Sequence, residues 1–484
     1  MPKNNIFNFE YSYLTLPSKF YTVLSPASFH RLELVLHNHE LSKELDVPVS
    51  TPEELVSALF ENKADDQVKS FSQAYAGHQF GHFTRLGDGR AVVIGEHVTD
   101  EQKRFDIQLK GGGRTPYSRG GDGKATLKSM LREYLMSEAI HHLKIPGSRS
   151  LALLKTGEPV YRETEQQGAV LARVMKSHIR VGTFEFAAYF GTPEDLKALT
   201  KYTIQRLYPE LEQEENQALA LLKKVMTVQM ELVANWMRVG FIHGVMNTDN
   251  VSIGGETFDY GPCAFMNSYD PKQVYSSIDT NGRYAYGNQP MIIKWNLIKF
   301  AESLLPVIHE DKETSIKLAQ AAVDEFDEQW KHVYYKTMLD KLGIEDKTPE
   351  LFGLVDELLE LMKALRLDYT NTFLALSGDV EIEDNPLEKQ ELSSWLKKWK
   401  DAVEQHSNSF QRAKGLMREN NPVVIPRNHL VEKALDQAVE GDFSLFEQLQ
   451  TVLATPYRFD ENHTAFMKQP DSSFEMTYQT FCGT

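Results

Sequence analysis

The chain has 484 residues, 41 % hydrophobic and 25 % charged, which is the composition of a soluble globular protein of roughly two to four domains or one elaborated one. Its net charge of −16, from 52 basic and 68 acidic residues, argues against nucleic acid and anionic membranes as partners, yet leaves room for a local basic pocket that takes phosphate. Two cysteines, Cys263 and Cys482, are too few for a disulfide scaffold or a four-thiolate zinc site. No apolar run reaches the roughly 18 residues of a membrane span, and the opening MPKNNIFNFEYSYL has no apolar stretch of signal length, so a cytoplasmic, reducing location is expected.

Residues 1–70 read as an N-terminal extension, aromatic and proline-containing, with one helix at TPEELVSALF, where Thr51 precedes Pro-Glu-Glu as a cap. Residues 71–190 read as a sheet-rich lobe. RAVVIGEHV (90–98) and RFDIQLKG (104–111) are strand-like, and the polar VTDEQK between them predicts an antiparallel pair. KATLKSMLREYLMSEAIHHL (124–143) predicts a helix, with Leu127, Leu131, Tyr134, Leu135 and Glu138 on one stripe. YRETEQQGAVLARVM (161–175) predicts two strands around a turn at its glycine. From about Pro193 the chain turns helical. Residues 191–310 read as a helical lobe, with a long buried helix at 218–241, and residues 311–484 as a helical C-terminal region in which Glu381 to Glu391 form an acidic solvated linker or helix end. Sheet first and helices afterwards predicts an α+β fold with segregated lobes rather than alternating βαβ units.

Four stretches carry candidate chemistry. HGVMNTDNVSIGGETFDYGPC runs from His243 to Cys263. Val251, Ile253 and Phe258 flank Gly254-Gly255 in the pattern of a β-hairpin with a glycine turn, which would set Asn250 beside Asp259 with Asp249 adjacent. An amide oxygen and a carboxylate so placed suit magnesium or manganese shared with phosphate oxygens; the plainer alternative is polar residues capping turns. In LGDGRAVVIGE, Gly87 and Gly89 precede Arg90, and they either let backbone N–H groups approach a phosphate or simply make a turn. In LKGGGRTPYSRGGDGKATL, Lys110 ends a strand, and six glycines share the loop with Arg114, Arg119 and Lys124 before it feeds a helix N-terminus. Backbone donors, cations and the positive helix end make an anion site. Ser118 and Ala125 stand where a Walker A loop needs Gly and Ser or Thr. In ARVMKSHIRVGTFEF, Arg173 and Arg180 offer planar forks, either two helical turns apart or joined by a loop that folds back, with surface ion pairs as the alternative. Lys110 has two candidate partners on the following helix, Glu133 and Glu138, and periodicity does not choose between them.

A strand lysine, a helix glutamate, an Asn seven residues after a His and an Asp-x-Gly follow the protein-kinase order of parts: Lys110, Glu133 or Glu138, His243 to Asn250, Asp259-Tyr260-Gly261. Val245 replaces the acid expected two residues after the His, and Asp249 is the nearest substitute. QLKGGGRTPYSRGGDGKATLKSMLREYLMSEAI, HGVMNTDNVSIGGETFDYGP, QAYAGHQFGHFTRLGDGRAVVIGE and RVMKSHIRVGTFEF closely resemble the selenoprotein O (YdiU) family, strongly over roughly residues 70–300 and more loosely elsewhere.

The resemblance implies a bilobal protein-kinase-like core, an antiparallel sheet lobe that binds nucleotide plus a helical lobe, with a helical C-terminal extension. It implies ATP bound in a flipped orientation and AMP transferred to Ser, Thr or Tyr hydroxyls of proteins, releasing pyrophosphate, with uridylylation from UTP as a further activity. Carried over, Lys110 contacts nucleotide phosphates and Glu133 holds it, while Arg173 and Arg180 contact phosphates deep in the pocket. Gly87, Gly89, Arg90, Asp122, Gly123 and Asp259 line the nucleotide, Asn250 and Asp259 hold Mg²⁺ or Mn²⁺, and Asp249 is the proton acceptor. Lys124 stands where many members have Arg. The implied partners are ATP and hydroxyl-bearing proteins, with the enzyme a monomer. Cys482, third from the end, matches the family's selenocysteine region, so a Cys263–Cys482 disulfide would be a redox brake, two free thiols being the alternative. The competing functions are a kinase-type phosphotransferase using Asp249, and a non-catalytic pseudokinase scaffold. Val245 favours the scaffold; the retained Lys110, Asn250 and Asp259 oppose it.

Overall fold

The computed structural model describes residues 6–60, 69–382 and 384–481. Eleven strands come before residue 176: β1 (Phe9–Glu10), β2 (Tyr21–Val23), β3 (Glu33–His37), β4 (Phe71–Gln73), β5 (Ala76–Gln79), β6 (His82–Arg85), β7 (Ala91–Val98), β8 (Arg104–Lys110), β9 (Ala125–Thr126), β10 (Arg149–Tyr161) and β11 (Glu165–Met175). Nine of them form one antiparallel sheet in the order β2-β4-β7-β8-β11-β10-β3, with β1 paired to β7 and β9 to β11; β5 and β6 make a separate hairpin. The expected pair across VTDEQK is β7 and β8, in register from Ala91 opposite Lys110 to Val98 opposite Arg104. The strands from residues 9–37 belong to this sheet, β2 and β3 as the two ends of that order.

Alternation along the strands decides the two faces. Ile107, Leu109, Val170, Ala172 and Val174 face a core closed by Leu41 of α1 (His39–Glu44), by Leu45 that caps it, and by Leu55 and Leu59 of α2 (Pro52–Phe60). Ala169, Leu171 and Leu153 face Leu131 and Leu135 of α3 (Leu127–His142). With both faces covered, β7, β10 and β11 carry apolar runs (AVVI, LALL and AVLA), whereas β8, RFDIQLK, alternates.

Three local expectations change. The turn between β10 and β11 lies at residues 162–164, and Gly168 is inside β11, opposite Thr126. Helix begins before Pro193, with α4 (Val181–Phe190), followed by α5 (Pro193–Leu207) after a Thr192 cap. The helix expected from Lys124 starts at Leu127, because Ala125 and Thr126 first pair with β11 and Thr126 caps the helix.

The long helix α6 (Gln217–Arg238) is buried on most sides, as its apolar run predicts, and it packs against α7 (Gln289–Ile308). Short strands β12 (Phe241–Ile242) and β13 (Ala264–Phe265) follow it. Beyond α7 the described residues are predominantly helical to Thr477. The acidic stretch contributes two short 3-10 turns, Pro386–Glu388 and Gln390–Leu392, pinned by buried Pro386 and Leu392. No described helix is long and apolar enough to cross a membrane.

Candidate active site

Lys110 ends β8 between Ala91 of β7 and Leu171 of β11, so its backbone is fixed on both sides. Its Nζ donates to Glu133 Oε2 and, at 3.0 Å, to Asp259 Oδ1. Glu133 Oε1 accepts from Arg173 Nη1 at 3.2 Å. One carboxylate is therefore shared by two cations, and the three side chains are only 2 %, 7 % and 5 % exposed. Glu138 is engaged elsewhere, accepting from Arg149, from Asn38 Nδ2 at 2.7 Å and from Ser150 N at 2.9 Å. Of the two glutamates, Glu133 is the partner of Lys110.

Arg173 and Arg180 are joined by a loop, not by two helical turns: Arg173 lies in β11, and Arg180 is the residue that precedes α4. Arg173 Nη2 donates to Gln108, which in turn donates to Asp88. Arg180 is sandwiched between the rings of Tyr75 at 4.2 Å and Phe258 at 4.9 Å, and it donates to the carbonyls of His178 and Asp249, each at 3.2 Å. Arg173 Nε and Arg180 Nη2 are buried without a hydrogen-bond partner, although Asp88 Oδ1 stands 3.8 Å from the latter. Buried guanidinium donors left over in this way are costly unless an anion takes them, and their planar forks match phosphate.

These groups open onto one cavity of about 500 Å³, lined by Gly87, Gly89, Arg90, Lys110, Asp122, Gly123, Arg173, Arg180, Asp249, Asn250 and Asp259 among others. Of the nominated nucleotide, metal and catalytic residues only Glu133 stands behind the wall. The glycines have packing reasons of their own. A Cβ on Gly87, where φ is +143°, would fall 2.4 Å from the Tyr117 ring, and one on Gly123, where φ is +72°, would fall 2.2 Å from the Gly113 carbonyl carbon. The loop from Gly111 to Lys124 lines the cavity with Arg119, Gly121, Asp122, Gly123 and Lys124, but Thr126 and Leu127 at the helix start do not. The helix N-terminus is thus not part of the anion site that the glycine loop predicted, because β9 comes between them.

No hairpin ladder joins Val251–Ile253 to Thr257–Phe258. Ser252 bridges Arg180 and Thr257 bridges Gly147, so each arm pairs with a different distant segment. Closure happens farther out, where Phe241 opposes Phe265 and Ile242 opposes Ala264. Asn250 and Asp259 still meet: Asn250 Nδ2 donates to Val245 O at 3.1 Å and approaches Asp259 Oδ2 at 3.4 Å. His243 is buried, and burial lowers its pKa. Val245 N donates to its Nδ1 at 3.4 Å, which leaves Nε2–H to donate to Phe258 O at 3.1 Å. Asp259 adopts a left-handed conformation, φ 66°, that Asp tolerates better than most residues. Burial opposes its ionisation, but Lys110, Arg90 and Arg173 outweigh burial and hold the carboxyl well below the usual range. The ionised Asp259 carboxylate fits a hard cation, and Asn250, whose Nδ2 now faces it, would supply its amide oxygen as a second ligand by turning the amide over. Among the described residues no three His, Cys, Asp or Glu side chains cluster as a cage, so a cation held here would need phosphate oxygens to complete its shell.

Asp249 is 7 % exposed, and desolvation pushes its carboxyl up to about 6. Its Oδ1 has no hydrogen-bond partner, and Oδ2 takes Gln79 Nε2 at 3.4 Å. Gln79 and the β5–β6 hairpin were not nominated from the sequence. The hairpin lies against the Asp249 loop: His78 N donates to Thr248 Oγ1 at 2.6 Å and Phe80 N to Asn247 Oδ1 at 3.0 Å. Behind them buried Glu185 of α4 joins His78 Nδ1 and Thr248 Oγ1, each at 2.5 Å. A Cβ on Gly77 would lie 2.7 Å from Asp249 Oδ1, so the approach requires glycine. Tyr75, Asp88, Gln108 and Phe258 were missed as well. Only the glycine in AYAGHQF, a signal of close backbone approach inside a strand, pointed to any of this.

Cys263 is buried, its thiol donates to Tyr260 O at 3.2 Å, and burial pushes its pKa up to about 12. Cys482 lies outside the described residues. Arg132, next to Glu133 on α3, donates to the carbonyls of Gly261 and Cys263, and Thr480 Oγ1 donates to Pro262 O at 2.7 Å.

Comparison with known proteins supplies the lineage. A family model described as protein adenylyltransferase SelO matches residues 4–454. Among similar curated proteins, the protein nucleotidyltransferase YdiU of Brevibacillus brevis (strain 47) is 51 % identical over 480 residues, covering 99 % of this chain and 98 % of the relative. The protein of the same name from Bacillus thuringiensis subsp. konkukian is 50 % identical over 490 residues, and that from Bacillus cereus (strain B4264) is 49 % identical over 493, each covering the whole of both chains. With a match of this extent, the chain belongs to the SelO (YdiU) family of protein nucleotidyltransferases.

Proposed function

We propose that the protein transfers AMP from ATP, and UMP from UTP, to Ser, Thr or Tyr hydroxyls of other proteins, releasing pyrophosphate. The observation that carries this is one cavity that gathers the unpartnered Asp249 Oδ1 and the Asn250–Asp259 pair together with Lys110, Arg173 and Arg180, of whose atoms Arg173 Nε and Arg180 Nη2 have no hydrogen-bond partner. Attack at the α-phosphate needs a base and a cation beside that phosphorus, with the outer phosphates neutralised elsewhere. In this reading Arg173, Arg180 and Lys110 take the β- and γ-phosphates, Glu133 orients Lys110, and Gly87, Gly89, Arg90, Asp122 and Gly123 border the nucleotide. Asp249 accepts the proton of the attacking hydroxyl as its oxygen bonds to the α-phosphorus and the bridging oxygen leaves with pyrophosphate. Asn250 and Asp259 hold Mg²⁺ or Mn²⁺, which when bound neutralises charge on the transferring phosphate.

The sheet and the helical region act as the two lobes of a kinase-like arrangement, with residues 311–484 as the C-terminal extension and the N-terminal strands completing the sheet lobe. The enzyme works as a cytoplasmic monomer. A Cys263–Cys482 disulfide as a redox brake is supported by Thr480 reaching Pro262. Mass mapping without reductant that finds both thiols free under oxidising conditions would remove it.

The test of function is ATP labelled at the α- or the γ-phosphate, supplied with Mg²⁺ or Mn²⁺ and acceptor protein, to wild type and Asp259→Ala. Label from α alone, abolished in the variant, is expected. Label from γ alone would mean a phosphotransferase, and label from neither a scaffold.

A further inference from the structure

The β5–β6 hairpin carries more than its packing on Asp249 requires. Phe83 of β6 lies 4.3 Å from Tyr189 and 6.2 Å from Phe190, ring to ring, at the end of α4. Those two rings are 60 % and 44 % exposed. Arg85 covers Phe190 at 5.3 Å. On β5, His78 links Phe83 at 5.2 Å to Trp295 of α7 at 5.4 Å, and Arg283 covers Trp295 at 4.8 Å. Among the described residues no carboxylate lies within 4 Å of the Arg85 or Arg283 guanidinium, and Arg283 Nε is buried without a hydrogen-bond partner. Lys299, also over Trp295, is the cation of this surface already paired, with Glu302.

The result is a continuous belt of rings and of guanidinium groups that face no carboxylate. His78, in its middle, directly precedes Gln79, whose amide reaches Asp249. In a chain of net charge −16, a surface whose free charges are positive is a local reversal. Exposed aromatic and arginine groups of this kind are what polypeptide interfaces use. The nucleotide does not need them: the cavity has its own cations, and of this surface it includes Gln79 but neither Arg85, Arg283, Phe83 nor Trp295.

We propose that this belt docks the acceptor polypeptide and selects a segment with acidic residues flanking the hydroxyl and an aromatic or apolar side chain nearby. This rests on the transferase reading above. Rings bury the apolar side chain, Arg85 and Arg283 meet the flanking carboxylates, and the hydroxyl reaches Asp249 from the hairpin side.

The experiment offers peptides with one Ser, Thr or Tyr flanked either by Asp and Glu or by Lys and Arg. Wild type, R85E/R283E and Y189S/F190S are compared for AMP transfer, and matching peptides with Ala in place of the hydroxyl residue are titrated by fluorescence anisotropy. Wild type is expected to favour the acidic set about tenfold in KM with little change in kcat, and to bind the acidic Ala peptides. R85E/R283E should lose or reverse that preference at unchanged nucleotide affinity, and Y189S/F190S should raise KM for both sets. Equal KM values for the two sets, or a preference indifferent to R85E/R283E, would overturn the docking surface and leave the transferase reading intact. If no peptide takes label, the anisotropy arm still decides: acidic binding lost in R85E/R283E upholds the surface, and no binding overturns it.

Discussion

Glu133→Gln removes the single negative charge that Lys110 and Arg173 share behind the cavity wall. With side-chain exposures of 2 %, 7 % and 5 %, the two cations reach water only through the cavity they line. Lys110 keeps Asp259 at 3.0 Å, whereas Arg173 keeps the neutral Gln108 side chain as its side-chain hydrogen-bond partner, the Phe258 ring at 5.6 Å and a more distant attraction to Asp259. Removing one partner from a buried charge cluster costs about 3 to 5 kcal/mol, against about 0 to 1 for an exposed pair. Urea unfolding without nucleotide is therefore expected to show Glu133→Gln less stable by about 3 kcal/mol or more, which is about a hundredfold or more in the unfolding equilibrium. Saturating MgATP should recover part of this, since phosphates supply the missing charge. Transfer should fall about a hundredfold in kcat, because Lys110 is no longer aimed. Glu138→Gln, which alters the Arg149 and Asn38 contacts instead, should leave nucleotide affinity and kcat unchanged. A Glu133→Gln protein within about 1 kcal/mol of wild type would refute the shared-carboxylate account.

Three further outcomes follow from the same geometry. Gly77→Ala places a Cβ 2.7 Å from Asp249 Oδ1 with no positive-φ strain, so kcat should fall about ten- to a hundredfold while nucleotide affinity holds; an unchanged kcat would mean the Asp249 position is not critical. Arg180→Lys loses the planar fork held between Tyr75 and Phe258, so KM for ATP should rise about ten- to a hundredfold; an unchanged KM would remove Arg180 from the phosphate site. Glu256 is buried at 6 % exposure, and desolvation raises its carboxyl from 4.5 to about 8, so the folded state keeps a proton that the unfolded state has released. The stability it contributes is full below about pH 4.5 and is lost as pH rises to about 8, amounting to about 5 kcal/mol at most. Glu256→Gln should flatten denaturation midpoints measured between pH 5 and 8.5, and a slope equal to that of wild type would contradict this.

The parts of the site that sequence reveals are those fixed by local chemistry. Lys110 closes an alternating strand, and Asn250 and Asp259 flank a glycine pair, so residue type and spacing alone nominate them. The choice between Glu133 and Glu138 depends on Arg149 and Asn38, which claim Glu138 from other elements and leave no trace in helical periodicity. The imagined hairpin fails for the same reason, since Ser252 and Thr257 find Arg180 and Gly147, distant in sequence, before each other. β10 starts at Arg149, where an apolar run without polar alternation does not distinguish strand from helix. Gly87 and Gly123 are explained by Tyr117 and Gly113 crossing over them, a requirement that a phosphate-loop reading and a plain turn share.

The neutral imidazole of His243 gives the loop that carries Asn250 and Asp259 a built-in spectroscopic label. Its Nε2 hydrogen is sealed from solvent and bonded to the carbonyl of Phe258, whose ring lies against both cavity arginines and whose next residue is Asp259. A proton so sheltered exchanges slowly with water, and its resonance frequency follows the length of one hydrogen bond. Titrating nucleotide or divalent cation into ¹⁵N-histidine-labelled protein would therefore register events at the arginines and at Asp259 on a single line, without altering any residue of the site.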